Sequence, residues 1–187
     1  GTASKMTGGK FANGAQSAAI AFVANHIQGL KRSVAQKGLD RHEGKEGYSH
    51  LESLDDITFE NDVPGGPHTD RAIDTDLVNA LHTSLDNSGL TVNVNSTTGG
   101  HGVGTPHYNG KAIDINQVGG VKVQFLTDNG LMRDVLILQR NLMMQPGVIK
   151  VFGPVYNYVK HNGNWIQANS HVSLRQSHSN HIHVQVE

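Results

Sequence analysis

Apolar residues recur every four positions at Ile73, Leu77, Leu81 and Leu85, and Val78 widens the stripe. That spacing predicts an amphipathic helix from about Thr69 onward, with Gly89 as its C-terminal stop. A second stripe, Leu131, Val135, Leu138 and Leu142, predicts a helix from about Asp128 to Met144, ended by Pro146. Between and after these stripes the period changes to two. Leu90, Val92 and Val94 alternate with Thr91, Asn93 and Asn95, as in a half-buried strand. Lys111 to Asn116 reads as another strand, with Ile113 and Ile115 on one face and Ala112, Asp114 and Asn116 on the other. In the closing stretch, His181 and His183 share one face while Ile182 and Val184 share the opposite one. Val148 to Phe152 adds a further strand, followed by turns at Gly153-Pro154 and around His161 to Gly163.

Elsewhere the pattern is weaker. The first 15 residues are small and turn-forming and read as a linker, and Ala18 to Leu30 fits a helix beginning near Gln16. Lys31 to Pro67 is charged and punctuated by glycine, so it reads as mostly loop with one short strand at Ile57 to Phe59. Ser96 to Gly104 and Ser170 to Asn180 also read as loops, with no internal repeat. The expectation is an α+β fold in which a small antiparallel sheet is flanked by helices. Residues 1–35 are expected to form a linker and N-terminal helix from a longer parent chain, and residues 36–187 the main domain.

Composition narrows the chemistry. Fifteen Lys and Arg against 16 Asp and Glu give a formal charge of -1, which supplies no global basic field for nucleic acid. Cysteine is absent, so disulfides, thiolate nucleophiles and sulfur-bound metals are excluded. A transition metal must then bind through nitrogen and oxygen, and 12 histidines supply the nitrogen. No apolar run is long enough to span a bilayer, so stable membrane insertion is not expected.

Three features converge on a metal. His107 ends the glycine-studded loop, Asp114 follows seven residues later on a strand, and His183 lies on the last strand with His178 and His181 nearby. Two imidazoles, one carboxylate and a fourth position left to water form a known catalytic zinc arrangement. Such a site lowers the pKa of bound water to roughly 7 and polarises a carbonyl.

The stretch Thr105-Pro106-His107-Tyr108-Asn109-Gly110-Lys111-Ala112-Ile113-Asp114 follows the pattern Ser-x-His-x-x-Gly-x-Ala-x-Asp, with Thr in place of Ser. In this it resembles zinc peptidases of the D-Ala-D-Ala carboxypeptidase, murein endopeptidase and lysostaphin-type fold group. The ending His178-Ser-Asn-His181-Ile-His183 is similar to the His-x-x-His-x-His of the murein endopeptidase branch. The likeness covers about Leu90 to Glu187. It implies Zn2+ held by His107, Asp114 and His183, with His178 as catalytic base or transition-state stabiliser and His181 orienting the site. Imidazole titrates near neutrality, which suits a proton relay between water and a leaving amine.

Several relatives carry an arginine in the loop before the first metal histidine, and Asn95 to Gly100 has none. Substrate contacts are therefore expected from neutral donors at Ser96, Thr97 and Thr98, together with Tyr108. His101 is an added candidate contact, though its glycine-rich loop favours a surface residue, and Asp74 reads as a helix-start carboxylate favoured by the dipole. Tyr156, Tyr158 and Trp165 fit either a groove or core packing.

Gly8-Gly-Lys-Phe-Ala-Asn-Gly-Ala15 resembles the stretch that precedes variable C-terminal toxin domains in Rhs-type polymorphic toxins. The two resemblances together imply a peptidoglycan hydrolase that cuts next to D-alanine in a stem peptide or cross-link. A parent effector would secrete or inject it into the periplasm of a target bacterium, and an immunity protein would protect the producer. The competing readings are a zinc-stabilised binding module without turnover, as in hedgehog-type relatives, and a histidine-based nuclease, which the charge balance disfavours.

Overall fold

The computed structural model describes residues 41–60, 70–125, 129–168 and 176–187, all within the compact unit Gln36–Glu187. The linker and helix expected before residue 31 lie outside the described residues. In chain order the elements are β1 (Tyr48–His50), β2 (Ile57–Phe59), β3 (Ala72–Asp74), α1 (Thr75–Ser88), β4 (Val92–Ser96), β5 (Ala112–Val118) and β6 (Val121–Lys122). A short 3-10 turn (Val123–Phe125) leads to α2 (Asn129–Met143), β7 (Val148–Phe152), β8 (Asn157–His161), β9 (Asn164–Gln167) and β10 (Ile182–Val186). The α+β class expected from the sequence is the one observed.

Helix α1 begins later than the four-residue spacing predicts. Asp74 is its N-cap and accepts the Asp76 backbone N–H at 2.9 Å, while Gly89 closes the helix in the left-handed conformation at φ 65°. Ile73 is wholly buried like the rest of the stripe, but it belongs to β3, where it pairs with Ser49 of β1. A buried strand residue one step before the cap extended the apparent helical repeat. Helix α2 matches its expected span to within a residue at each end and buries Val135, Leu138 and Leu142 completely. Fully burying a side chain of this size contributes about 1.5–3 kcal/mol.

The main sheet has eight strands in the order β2-β4-β5-β10-β7-β8-β9, with β6 added on β5. It is antiparallel except for the β2–β4 pair, which is parallel and joined by a crossover that contains α1. The last strand of the chain sits in the middle, between β5 and β7, and both of its pairings are antiparallel. Alternation then separates two faces. Ile113 and Ile115 of β5, Val151 of β7, and Val184 and Val186 of β10 join the helix residues in one core. Asp114, Asn116, His183 and Gln185 stand half-buried on the other face. The segment read as mostly loop contributes β1 as well as the expected β2, and the turn at His161 to Gly163 joins β8 to β9.

Candidate metal centre

The position of β10 builds the site. Its register sets His183 directly opposite Asp114 of β5 and opposite Phe152 of β7. The third residue, His107, comes from the turn before β5. There Thr105 Oγ1 accepts the Tyr108 backbone N–H at 3.2 Å and donates to the Gly102 carbonyl at 2.9 Å. Gly110 closes the turn at φ +71°, where a Cβ would lie 2.9 Å from the Tyr48 ring. These contacts give the hydroxyl and glycine of the sequence pattern their physical reasons: one caps the turn, and the other allows a positive φ and a close approach.

Three donor atoms meet in a tight triangle. Asp114 Oδ1 lies 2.9 Å from His183 Nδ1 and 3.3 Å from His107 Nε2, and the two nitrogens are 3.2 Å apart. Zn–N bonds of about 2.0–2.1 Å in a tetrahedron place neighbouring donors about 3.3–3.4 Å apart. The triangle therefore has nearly the size of one face of a zinc coordination shell. The group His107, Asp114 and His183 is able to hold a metal ion. Tautomer supports this. His107 Nδ1 lies 3.0 Å from the Thr97 carbonyl, which can only accept, so Nδ1 carries the proton and Nε2 turns a lone pair into the triangle.

Electrostatics keep the donors in their ligating forms. Burial alone would raise the Asp114 carboxyl, but the His107 and His183 imidazoles set against it outweigh burial in the metal-free site and hold the group far below the usual carboxylate range. Burial pushes His183 down, against the pull of Asp114, and so favours neutral imidazole.

His178 and His181 both stand beside this group. His181 Nε2 is 3.8 Å from Asp114 Oδ1, and its Nδ1 donates to Asn180 Oδ1 at 2.8 Å. Burial, followed by the neighbouring histidines against Asp114, lowers its pKa. The His178 ring meets Phe152 edge-on at 5.0 Å and lies 5.0 Å from the His181 ring and 5.7 Å from that of His183.

Of the expected substrate contacts, the three hydroxyl residues before the turn are buried and Tyr108 is half-buried. Thr97 and Thr98 are completely buried, and their hydroxyls donate to the Asp70 carbonyl at 2.6 and 3.3 Å. Ser96 is buried too, with its hydroxyl 2.6 Å from His101 Nε2. Tyr108 is half-buried beneath the Arg41 guanidinium, 4.0 Å from the ring centre. His101, expected at the surface, stacks on His107 with centroids 4.2 Å apart. A polar cavity of about 200 Å³ opens beside His181 instead, walled by Glu60, Asn95, Asn116, Lys122, Gln124 and Asn180. Tyr156, Tyr158 and Trp165 frame a separate cavity with Met143 and Met144. Tyr158 pairs with the core residue Val151, which puts that cavity on the helix side of the sheet, away from the metal group.

Phe152 and Arg41 are the site neighbours that sequence reasoning missed, and His101, weighed there as a contact but read as a surface residue, is a third. Alternation along Val148 to Phe152 would have put Phe152 on the core face with Val148; the register shift against Gln185 and Val186 turns it to the face of His183 instead. Comparison with protein-family models and with curated proteins finds no match for this chain. No helix among the described residues is long and apolar enough to cross a membrane.

Proposed function

We propose that this chain is a zinc-dependent peptidoglycan hydrolase that cleaves a peptide bond next to D-alanine in a stem peptide or cross-link. The observation that carries the reading is the donor triangle of His107, Asp114 and His183 on the sheet face opposite the core, with two further histidines beside it. Zinc bound there supplies Lewis-acid polarisation of a carbonyl and acidifies a coordinated water.

The remaining work falls to the chain's own residues. With Nδ1–H committed to Asn180, His181 turns an unprotonated Nε2 toward Asp114 and accepts a proton from the attacking water. This hydrogen bonding favours His181 as the acceptor, where the sequence resemblance points to His178. His181 then gives that proton to the nitrogen of the leaving amine as the C–N bond breaks. His178, held against the edge of Phe152 with its ring 5.0 Å from that of His181, stabilises the charge that develops in the transition state. The amide side chains of Asn95, Asn116, Gln124 and Asn180 offer both donors and acceptors, which suits the backbone of an extended peptide entering from that side. Delivery by an Rhs-type parent into a rival's periplasm, and protection by an immunity protein, belong to the same proposal through the resemblance at Gly8 to Ala15.

The test is mass spectrometry of purified muropeptides before and after incubation with the zinc-loaded protein. New free amines next to D-alanine are expected, and His178→Ala and His181→Ala should each lower turnover by about 10²–10⁴-fold while retaining zinc. Unchanged muropeptides at saturating zinc would overturn the reading.

A further inference from the structure

The metal group takes one ligand from a turn, and a turn is the least rigid place from which to present one. What holds this turn is a closed ring of contacts through a residue far away in sequence. Arg41 Nη1 donates to the Thr98 carbonyl at 3.1 Å and to the Tyr108 carbonyl at 3.4 Å. The same atom lies 3.5 Å from Asp70 Oδ2, and the guanidinium covers the Tyr108 ring. Asp70 completes the ring on the other side, because its backbone carbonyl accepts the hydroxyls of both Thr97 and Thr98.

The two carbonyls that Arg41 joins flank the metal ligand's own anchor. Thr98 follows Thr97, whose carbonyl accepts His107 Nδ1–H, and Tyr108 follows His107 itself. One planar cation thus ties the loop that orients the imidazole to the turn that carries it. A guanidinium is suited to this work because one of its nitrogens, Nη1, donates to both carbonyls while its planar face stacks on an aromatic ring. His42 reinforces the same point by donating from Nε2 to the Tyr108 carbonyl at 2.9 Å, and its ring stacks on Tyr48.

We infer that Arg41 is a positioning residue of the metal centre, acting through the Thr98 and Tyr108 carbonyls to fix the orientation and tautomer of His107. The inference rests on the metal-binding reading of the triangle and is independent of which reaction, if any, the site performs. Arg41 touches none of the three donors, so loss of its side chain leaves the ligand set complete and removes the restraint on one member.

The test measures Zn2+ affinity by competition with a chromophoric chelator, at a temperature well below melting, alongside the ligand-field spectrum of the Co2+-loaded protein. Arg41→Ala should weaken binding about 10–100-fold, the usual cost of losing an outer partner of a metal ligand. It should also alter the Co2+ spectrum, which a purely structural loss of stability would leave unchanged. Arg41→Lys keeps a charged donor but loses the planar face that stacks on the Tyr108 ring, and should fall between wild type and Arg41→Ala. Asp70→Asn retains the backbone carbonyl and removes the ion pair, and should weaken binding by a smaller factor. Equal affinity and an identical spectrum in wild type and Arg41→Ala would overturn the inference. If Arg41→Ala does not fold, wild-type behaviour of both Arg41→Lys and Asp70→Asn would overturn it. A wild-type protein that binds neither metal would instead overturn the metal reading, and the inference with it.

Discussion

A histidine packed in a protein interior resists protonation, and three of the histidines around the metal group show it. Burial lowers the pKa of His101, His181 and His183 from the usual 6.5, with neighbouring imidazoles adding to the effect and Asp114 opposing it. Below about pH 6.5 the unfolded chain therefore takes up protons that the metal-free folded chain refuses. Folded stability is complete above that pH and declines as pH falls toward the depressed folded values. Asp114 adds a second loss at lower pH: its carboxylate stabilises the fold above the ordinary carboxylate range, and that contribution disappears as acid protonates it. Calorimetry of metal-free protein from pH 7.5 to 4.5 should show the melting temperature falling, and His181→Gln should fall less steeply between pH 6.5 and 5. Parallel curves would assign the acid sensitivity to other groups. At this scale the sequence was informative wherever alternation decided a face, as at Asp114 and His183. It was silent on Arg41 and Asp70, whose meeting depends on two loops that carry no periodicity.

Short elements matter more than the helices in presenting the site. The turn from Thr105 to Lys111 is held by backbone bonds from Asn109 N to Thr105 O at 3.1 Å, from Gly110 N to His107 O at 2.8 Å and from Lys111 N to Pro106 O at 2.8 Å. Gly110→Ala would impose a positive φ on an L side chain and press its Cβ against Tyr48 and His42. That strain should cost about 1–3 kcal/mol of stability, measured by urea unfolding, and weaken Zn2+ binding as well. A substitution that leaves both unchanged would show that the turn relaxes freely. Asp74→Ala makes the comparison at a helix cap that meets the turn through its backbone N–H to the Gly110 carbonyl, which alanine keeps: about 0.5–2 kcal/mol less stable, with metal affinity unchanged. The helices were legible because their stripes are long, yet the start of α1 was not. The four-residue spacing cannot tell the buried strand residue Ile73 from a helical one, and pairing with β1 decides it. The β8–β9 hairpin left little signal beyond its turn, because its outer strand is short and largely exposed.

On the scale of the whole molecule, the ligands come from parts of the chain that meet only after folding. His107 and Asp114 lie close in sequence, but His183 is 69 residues beyond Asp114 and reaches it only because β10 inserts between β5 and β7. The unfolded chain cannot assemble this triangle, so a bound ion stabilises the native state by mass action. At free Zn2+ one hundred times the dissociation constant the gain is about 2.7 kcal/mol, which for a chain of this size raises the melting temperature by about 5–11 °C. His183→Ala should abolish that shift, because a two-donor remnant binds far more weakly, while its own metal-free melting point changes far less. The alternating pattern of the last strand made a shared face for its two histidines legible, but not which strands would flank it, since pairing order is a property of the folded chain. If zinc raised the melting temperature of His183→Ala as much as that of wild type, the ion would be binding among the other histidines. The central placement of β10 would then serve the core of Val184 and Val186 alone.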